Sequence, residues 1–275
     1  MKPKDAILYS LSLGFNADPL KKDEYKFTYE NAAGFTAFPT MPVVMAHQDY
    51  SAFMSTPGLP EFNPIMILHG SEEVNIIKPL EPGRKYKVTE RAKDVQDKGK
   101  MTIVVGESVV SAAENDQDIY AVVTGQTIIR GLGGFGFKGA TKLTVYPTKP
   151  NDPPTFTTET RIQPGQAFLY RLNGDINPLH VDPDMAKIAN FPMPIIHGLC
   201  TKGVVAKCVY EKFCNNHPEQ IKRIASKFVG HVFPGEHLIV DMWKLGNTIY
   251  YEAKVKERGT VALKAFIELR ETPKL

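Results

Sequence analysis

Cysteine is scarce in this chain: there are three in 275 residues, Cys200, Cys208 and Cys214. They crowd into one stretch with neither a Cys-x-x-Cys spacing nor a clustered histidine, so they read as reduced core residues and argue against a disulfide framework or a metal site. Long apolar runs are missing as well. None approaches the roughly 18 residues a membrane-spanning helix needs, and the opening Met1-Lys-Pro-Lys-Asp5 lacks the apolar centre of a secretory signal, so a soluble, non-secreted protein is expected. Nor does one sign of charge dominate. Thirty-three Lys and Arg against 30 Asp and Glu give +3, without basic blocks, which argues against nucleic acid while leaving lysines to meet an anionic carrier. What is present is apolar material. At 43% hydrophobic the chain can build a large core, and its length suggests about two domains.

The stretch that carries chemistry runs Tyr170-Arg-Leu-Asn-Gly-Asp175-Ile176-Asn177-Pro178-Leu179-His180. An acid and a base lie five positions apart across an Asn-Pro step, which favours a turn and biases Asn177 away from helix. On a helix the two side chains would point to different faces. On a bent loop they converge, and a convergent Asp and His can handle two protons of one reaction. The same residues also suit a purely local use, an Asx-type turn at Asp175 and Asn177 with His180 packed in the loop.

Downstream, Asp182-Pro183 reads as a helix N-cap followed by proline at the first helical position. After the Phe191 to Pro194 loop, His197-Gly198 leads into Leu199, Gly203, Ala206, Tyr210 and Phe213 at helical spacing, with further apolar residues between them. A helix apolar nearly all round is a buried one. Gly198 then stands at a buried helix N-terminus, where backbone N–H groups and the dipole favour negative charge. An acid/base pair next to an oxyanion site suggests chemistry beside a carbonyl.

The run Gly174-Asp175-Ile176-Asn177-Pro178-Leu179-His180 resembles the signature of the (R)-specific 2-enoyl-CoA hydratase 2 family, the MaoC-like hydratases of the hot-dog fold. The similarity extends to Asp5-Ala-Ile-Leu-Tyr9, Leu68-His69-Gly70, Asp97-Lys98-Gly99, the Gly131 to Gly139 loop, His197-Gly198-Leu-Cys200 and Phe233-Pro-Gly235. It matches the hydratase module of the peroxisomal multifunctional enzymes of type 2. The resemblance implies an α+β double hot-dog fold of two antiparallel sheets and a long central helix wrapped mainly by the C-terminal half. It implies hydration of trans-2-enoyl-CoA to the (3R)-3-hydroxyacyl-CoA in fatty acid β-oxidation, without a cofactor, by a homodimer. It places substrate contacts on His69, Gly70, Lys98 and Phe228 in addition to Asp175 through His180 and Gly198.

An internal repeat supports two copies of one fold. Ala6-Ile-Leu-Tyr9-Ser-Leu11 matches Ala167-Phe-Leu-Tyr170-Arg-Leu172, Pro64 to Gly70 matches Pro192 to Gly198, and Pro82-Gly83 matches Pro234-Gly235, in the same order. This divides the chain into residues 1–130, a connection over 131–160, and 161–275. The first copy runs from Gly70 almost directly into Val74-Asn-Ile-Ile77, with no room for the central helix, and it lacks an Asp-x-Asn-Pro-x-His run. Chemistry is expected in the second copy, with the space left by the missing helix used as a tunnel for an acyl chain. Strands are predicted over 85–95, 101–113, 119–130, 224–232, 236–245, 248–256 and 260–270 from their Val, Ile, Thr and Tyr content and the turn residues between them.

Gly131-Leu-Gly133-Gly134-Phe-Gly136 fits the dinucleotide pattern GxGxxG. No helical spacing follows it, so there is no helix terminus to receive a pyrophosphate and the glycines read as close-packing positions.

In the implied reaction Asp175 and His180 share the activation of one water and the return of a proton, titrating as a coupled pair. Asn177 orients the water or the Asp, or simply holds the loop, and the Gly198 N–H receives the thioester oxygen. His197 reads as structural. The final Pro273-Lys274-Leu275 resembles a carboxy-terminal peroxisomal address, with the cytoplasm as second choice. A hot-dog thioesterase, a dehydratase acting on carrier-protein substrates and a non-catalytic acyl-CoA-binding module are the alternatives.

Overall fold

The computed structural model describes residues 1–46, 58–63 and 66–271. Pro64-Ile65 of the second repeat match and the tail Pro273-Lys274-Leu275 lie outside them. Nine strands follow in chain order: β1 (Ile67–Ile76), β2 (Tyr86–Asp97), β3 (Met101–Ala112), β4 (Asn115–Arg130), β5 (Phe156–Arg161), β6 (Ile221–Phe228), β7 (His237–Leu245), β8 (Thr248–Val255) and β9 (Val261–Leu269). Every pairing among them is antiparallel, in the order β2-β3-β4-β1-β6-β9-β8-β7-β5.

This order corrects the expectation of two separate sheets. The open edge of β1 pairs with β6, Ser71 opposite Lys227 through Asn75 opposite Arg223, so the two halves share one continuous sheet. An uncovered edge leaves a row of unpaired N–H and C=O groups, and joining the two edges satisfies both rows. At the end of the connection over 131–160, β5 begins at Phe156 and covers the outer edge of β7.

The central helix, Gly198–Phe213, buries eleven of its residues, among them Leu199, Val205, Ala206 and Val209. It packs against β5 and β7. Among the described residues the first half has no counterpart, because β1 continues as a strand through Gly70. Two short helices, Pro3–Ser12 and Pro42–Ala46, lie there instead, the second against β2, β3 and β4. Between them and the sheet is a cavity of about 640 Å³ lined by apolar residues such as Leu8, Val44, Val88 and Leu172 and by the polar Asp5, Glu90 and Asn173.

Traces of the repeat survive in detail. Helix Pro3–Ser12 and the short helix Gln166–Tyr170 bring Tyr9 and Tyr170 together, ring centres 6.2 Å apart. Gly83 and Gly235 precede β2 and β7 at φ of +99° and +92°, a region that favours glycine over any residue with a side chain.

The glycine loop after β4 is used for packing. The Asp97 carboxylate accepts the N–H groups of Gly99, Gly134 and Gly136, and Asp94 accepts those of Ala140 and Thr141. These bonds hold both carboxyls below the usual range, against the opposing effect of desolvation. A Cβ on Gly133 would stand 2.3 Å from the Gly99 carbonyl oxygen. The loop is therefore sealed onto the β2–β3 hairpin, and its GxGxxG spacing serves that contact.

Candidate active site

The loop from Gly174 to His180 is bent by its own side chains. Asp175 Oδ1 accepts the Asn177 N–H at 3.2 Å, and Asn177 Oδ1 accepts the Leu179 N–H at 3.0 Å, capping a single 3₁₀ turn, Pro178–His180. The local Asx turns weighed from sequence are thus present, and they are what aims the acid and the base. They do not compete with a catalytic use. Asp182 caps the next helix, Pro183–Ile188, as its spacing predicts.

His180 is buried, and its Nδ1–H donates to the Ile195 carbonyl at 2.8 Å. That bond fixes the tautomer and leaves Nε2 as the acceptor nitrogen. Burial lowers the imidazole's pKa below the ordinary 6.5, opposed by the Ile195 bond and by the Asp175 charge. His180 is therefore neutral near pH 7, the state a general base requires. Its ring stacks on His197 with centres 3.7 Å apart and planes 29° from parallel. His197 in turn donates from Nε2 to the Asp175 carbonyl at 3.2 Å and packs on Tyr170, at 5.0 Å between ring centres. It is the N-cap residue of the central helix.

Donor atoms of Asp175, His180 and His197 all lie within 4.8 Å of one another. Three such donors are a minimal metal set. The stacked rings argue against that use, since in-plane lone pairs of nearly parallel imidazoles run side by side and do not converge on one ion. The same closeness suits a water held between Asp175 and His180.

Gly198 is the first residue of the central helix, so the leading N–H groups have no intrahelical acceptor. A Cβ there would sit 3.2 Å from the ring of Phe228, so the helix start and that ring are closely packed. Phe228, at the end of β6, also meets His69, ring centres 4.8 Å apart. His69, Phe228 and Gly198 thus form one group spanning the two halves. Gly70 beside them has no room for a side chain, because a Cβ would lie 2.7 Å from Ile128 Cδ1. Ile176, 68% exposed, and Pro178 sit on the open side of the loop, with Leu179 half-buried. Lys98 is exposed at the β2–β3 hairpin tip, where its N–H donates to Met101, apart from the Asp175–His180 pair.

Sequence reasoning missed three participants: the Ile195 carbonyl that orients His180, and the buried pair Glu72 and Lys202. Lys202 had a signal, a charged residue in the otherwise uncharged first half of the helix, ahead of Lys207, Glu211 and Lys212. The backbone acceptor had none, because any residue supplies a carbonyl.

Comparison with known proteins fits this geometry. Residues 1–131 match the family model "MFE-2 hydratase 2 N-terminal domain", and residues 145–265 match "MaoC like domain". The peroxisomal enoyl-CoA hydratase 2 of Arabidopsis thaliana is 34% identical over 97% of this chain and 89% of that protein. A MaoC-like dehydratase structure from Phytophthora capsici superposes with a TM-score of 0.86 at 32% identity, covering 99% of this chain and 94% of that one. The full-length peroxisomal multifunctional enzyme type 2 of Drosophila melanogaster gives 0.84 at 32% identity, over 98% of this chain and 47% of that one. A Mycobacterium tuberculosis protein described as a double hotdog fold, 9% identical, covers 98% of this chain and 92% of its own with a TM-score of 0.58, a likeness of fold alone. The chain is a MaoC-like protein with a double hot-dog fold and belongs to the enoyl-CoA hydratase 2 family.

Proposed function

We propose that the protein catalyses the reversible hydration of trans-2-enoyl-CoA to (3R)-3-hydroxyacyl-CoA in fatty acid β-oxidation. The observation that carries this is the meeting of Asp175 and a tautomer-fixed, neutral His180 against the N-cap of a buried helix. Water held by the pair gives a proton to His180 Nε2 as its oxygen bonds to C3. The C2=C3 π electrons move toward the thioester, whose oxygen gains enolate charge and is met by the Gly198 N–H. The proton then passes from the Asp175–His180 pair to C2, so that H and OH are added and the enzyme is restored. Asn177 holds the loop that aims both groups.

The remaining contacts follow from the layout. His69 and Phe228 flank the thioester side of Gly198, with Gly70 allowing the strand to approach. Ile176, Pro178 and Leu179 line the open side, and Lys98 meets the anionic carrier. The cavity over β2 receives the acyl chain. Peroxisomal residence is part of the reading, in keeping with the named location of the plant relative.

The test is the loss of enoyl-thioester absorbance from a medium-chain trans-2-enoyl-CoA, followed by chiral analysis. Formation of the R-product is expected. An S-product, or thioester hydrolysis without hydration, overturns the reading and turns attention to a thioesterase.

A further inference from the structure

Lys202 has no exposed surface at all, on a helix whose neighbours are apolar. Lysine is almost never buried in this way without a partner. Its Nζ donates to the Glu72 carbonyl at 3.3 Å and stands 4.0 Å from Glu72 Oε1, gripping that residue by backbone and side chain together. Burial pushes the ammonium's pKa down, and Glu72 and Glu73 oppose the shift. A buried ion pair is weak evidence for stability, because desolvation consumes most of the Coulombic gain. Its placement is therefore the more informative feature.

Glu72 reaches past Lys202 to His69, with Oε2 3.2 Å from His69 Nε2. On a regular strand residues three apart face opposite sides of the sheet. Here the register passes from His69 opposite Thr127 to Ser71 opposite Gln126, leaving Gly70 as an extra residue in a β-bulge. The bulge brings positions 69 and 72 onto one face. Across the sheet Gly125, paired with Glu72, has no side chain to intrude. A Cβ there would lie 3.7 Å from Glu72 Oε2 and 4.0 Å from His69 Nε2. The bulge thus makes the carboxylate–imidazole contact possible, and the imidazole rests on Phe228 beside Gly198.

We propose that Glu72, held by Lys202, is a positioning residue that fixes the orientation and tautomer of His69 where it meets the acyl-CoA thioester. On this proposal Nε2 carries the hydrogen toward the Glu72 carboxylate, which can only accept, and Nδ1 faces away from Glu72. This rests on the proposed contact between His69 and substrate.

Two double variants, compared with His69→Ala, test it. Glu72→Leu/Lys202→Met removes both charges and the acceptor. Glu72→Gln/Lys202→Met removes both charges but keeps an acceptor for His69. The Leu/Met pair should raise KM for a medium-chain trans-2-enoyl-CoA about tenfold, the scale of one lost hydrogen bond, with kcat within about threefold. The Gln/Met pair should stay within about twofold of wild type, and Leu/Met should add nothing on top of His69→Ala. Additive effects, or no rescue by glutamine, overturn the proposal. An unchanged KM in His69→Ala removes the substrate contact and the positioning role together. Hydratase turnover in that same variant shows whether the broader reading stands. Nitrogen NMR of His69 in the wild-type protein gives an answer even if a variant fails to fold: a proton on Nε2 is expected, and a neutral ring protonated at Nδ1 overturns the proposal.

Discussion

At the scale of single residues, the proposed reaction divides one water's chemistry between groups that differ in how they are held. His180 is fixed by a backbone carbonyl that no substitution at position 195 readily removes, whereas Asp175 is fixed by the turn it initiates. Asp175→Asn and His180→Gln should fold normally and lose at least ~10² in turnover, the lower end for a general acid-base group. Unchanged rates in steady-state hydration assays would take both out of the mechanism. The pH dependence follows from the direction of the His180 shift. Its pKa is lowered in the folded protein, so the neutral form is favoured there. Above the unfolded value of 6.5 both states are neutral and the fold bears no penalty. As pH falls through the lowered folded value, protonation costs stability and removes the base. The kcat/KM profile should therefore be flat near neutrality and fall on an acid limb whose midpoint lies below 6.5, with the limb altered in His180→Gln. A midpoint above 6.5 would contradict the neutral-base assignment.

At the scale of elements, devices that look alike in sequence are used differently. Leu68-His69-Gly70 and Ile196-His197-Gly198 match, yet one becomes a bulged strand and the other a helix start. The match could be read because side-chain identities repeat. The divergence also had a signal, since the strand-like Val74-Asn-Ile-Ile77 follows Gly70 almost at once, with no room for a helix between them. The merging of the halves into one sheet was not legible, because strand periodicity fixes which face is buried but says nothing about which edge meets which. Asp175, Asn177 and Gly198 were readable from local turn and cap chemistry. The His180 tautomer was not, since its partner is a carbonyl fifteen residues away. The glycine loop supplies a prediction at this scale. With Gly99 O 2.3 Å from where a Cβ on Gly133 would stand, and backbone rather than a flexible side chain in the way, Gly133→Ala must displace the loop. A loss of about 1–3 kcal/mol in denaturant unfolding is expected, the usual range for overpacking. An unperturbed unfolding midpoint would mean that the seal onto the hairpin contributes little.

At the scale of the whole molecule, the proposed function divides the work between the two halves, and the division can be tested without touching Asp175 or His180. The second half fills the concave side of its sheet with the central helix. The first half leaves about 640 Å³ between β2 and the helices of residues 3–12 and 42–46, with Leu172 and Asn173 at one end, immediately before Gly174-Asp175. An acyl chain entering from the Asp175 loop would run along Tyr86 and Val88. A short chain would stop near Leu172, and a long one would need the whole space. Val88 is half-buried on β2 and lines that space, so Val88→Trp fills it from the strand without disturbing the catalytic loop. Each methylene denied its place in an apolar pocket is worth about 1–3 kcal/mol of discrimination. The variant should accordingly lower kcat/KM for a long-chain trans-2-enoyl-CoA by at least ~10-fold while leaving a four-carbon substrate within about twofold. An equal loss for both lengths would place the damage in the fold. Equal retention of both would mean that the acyl chain takes another route and that the missing helix left its space for something else.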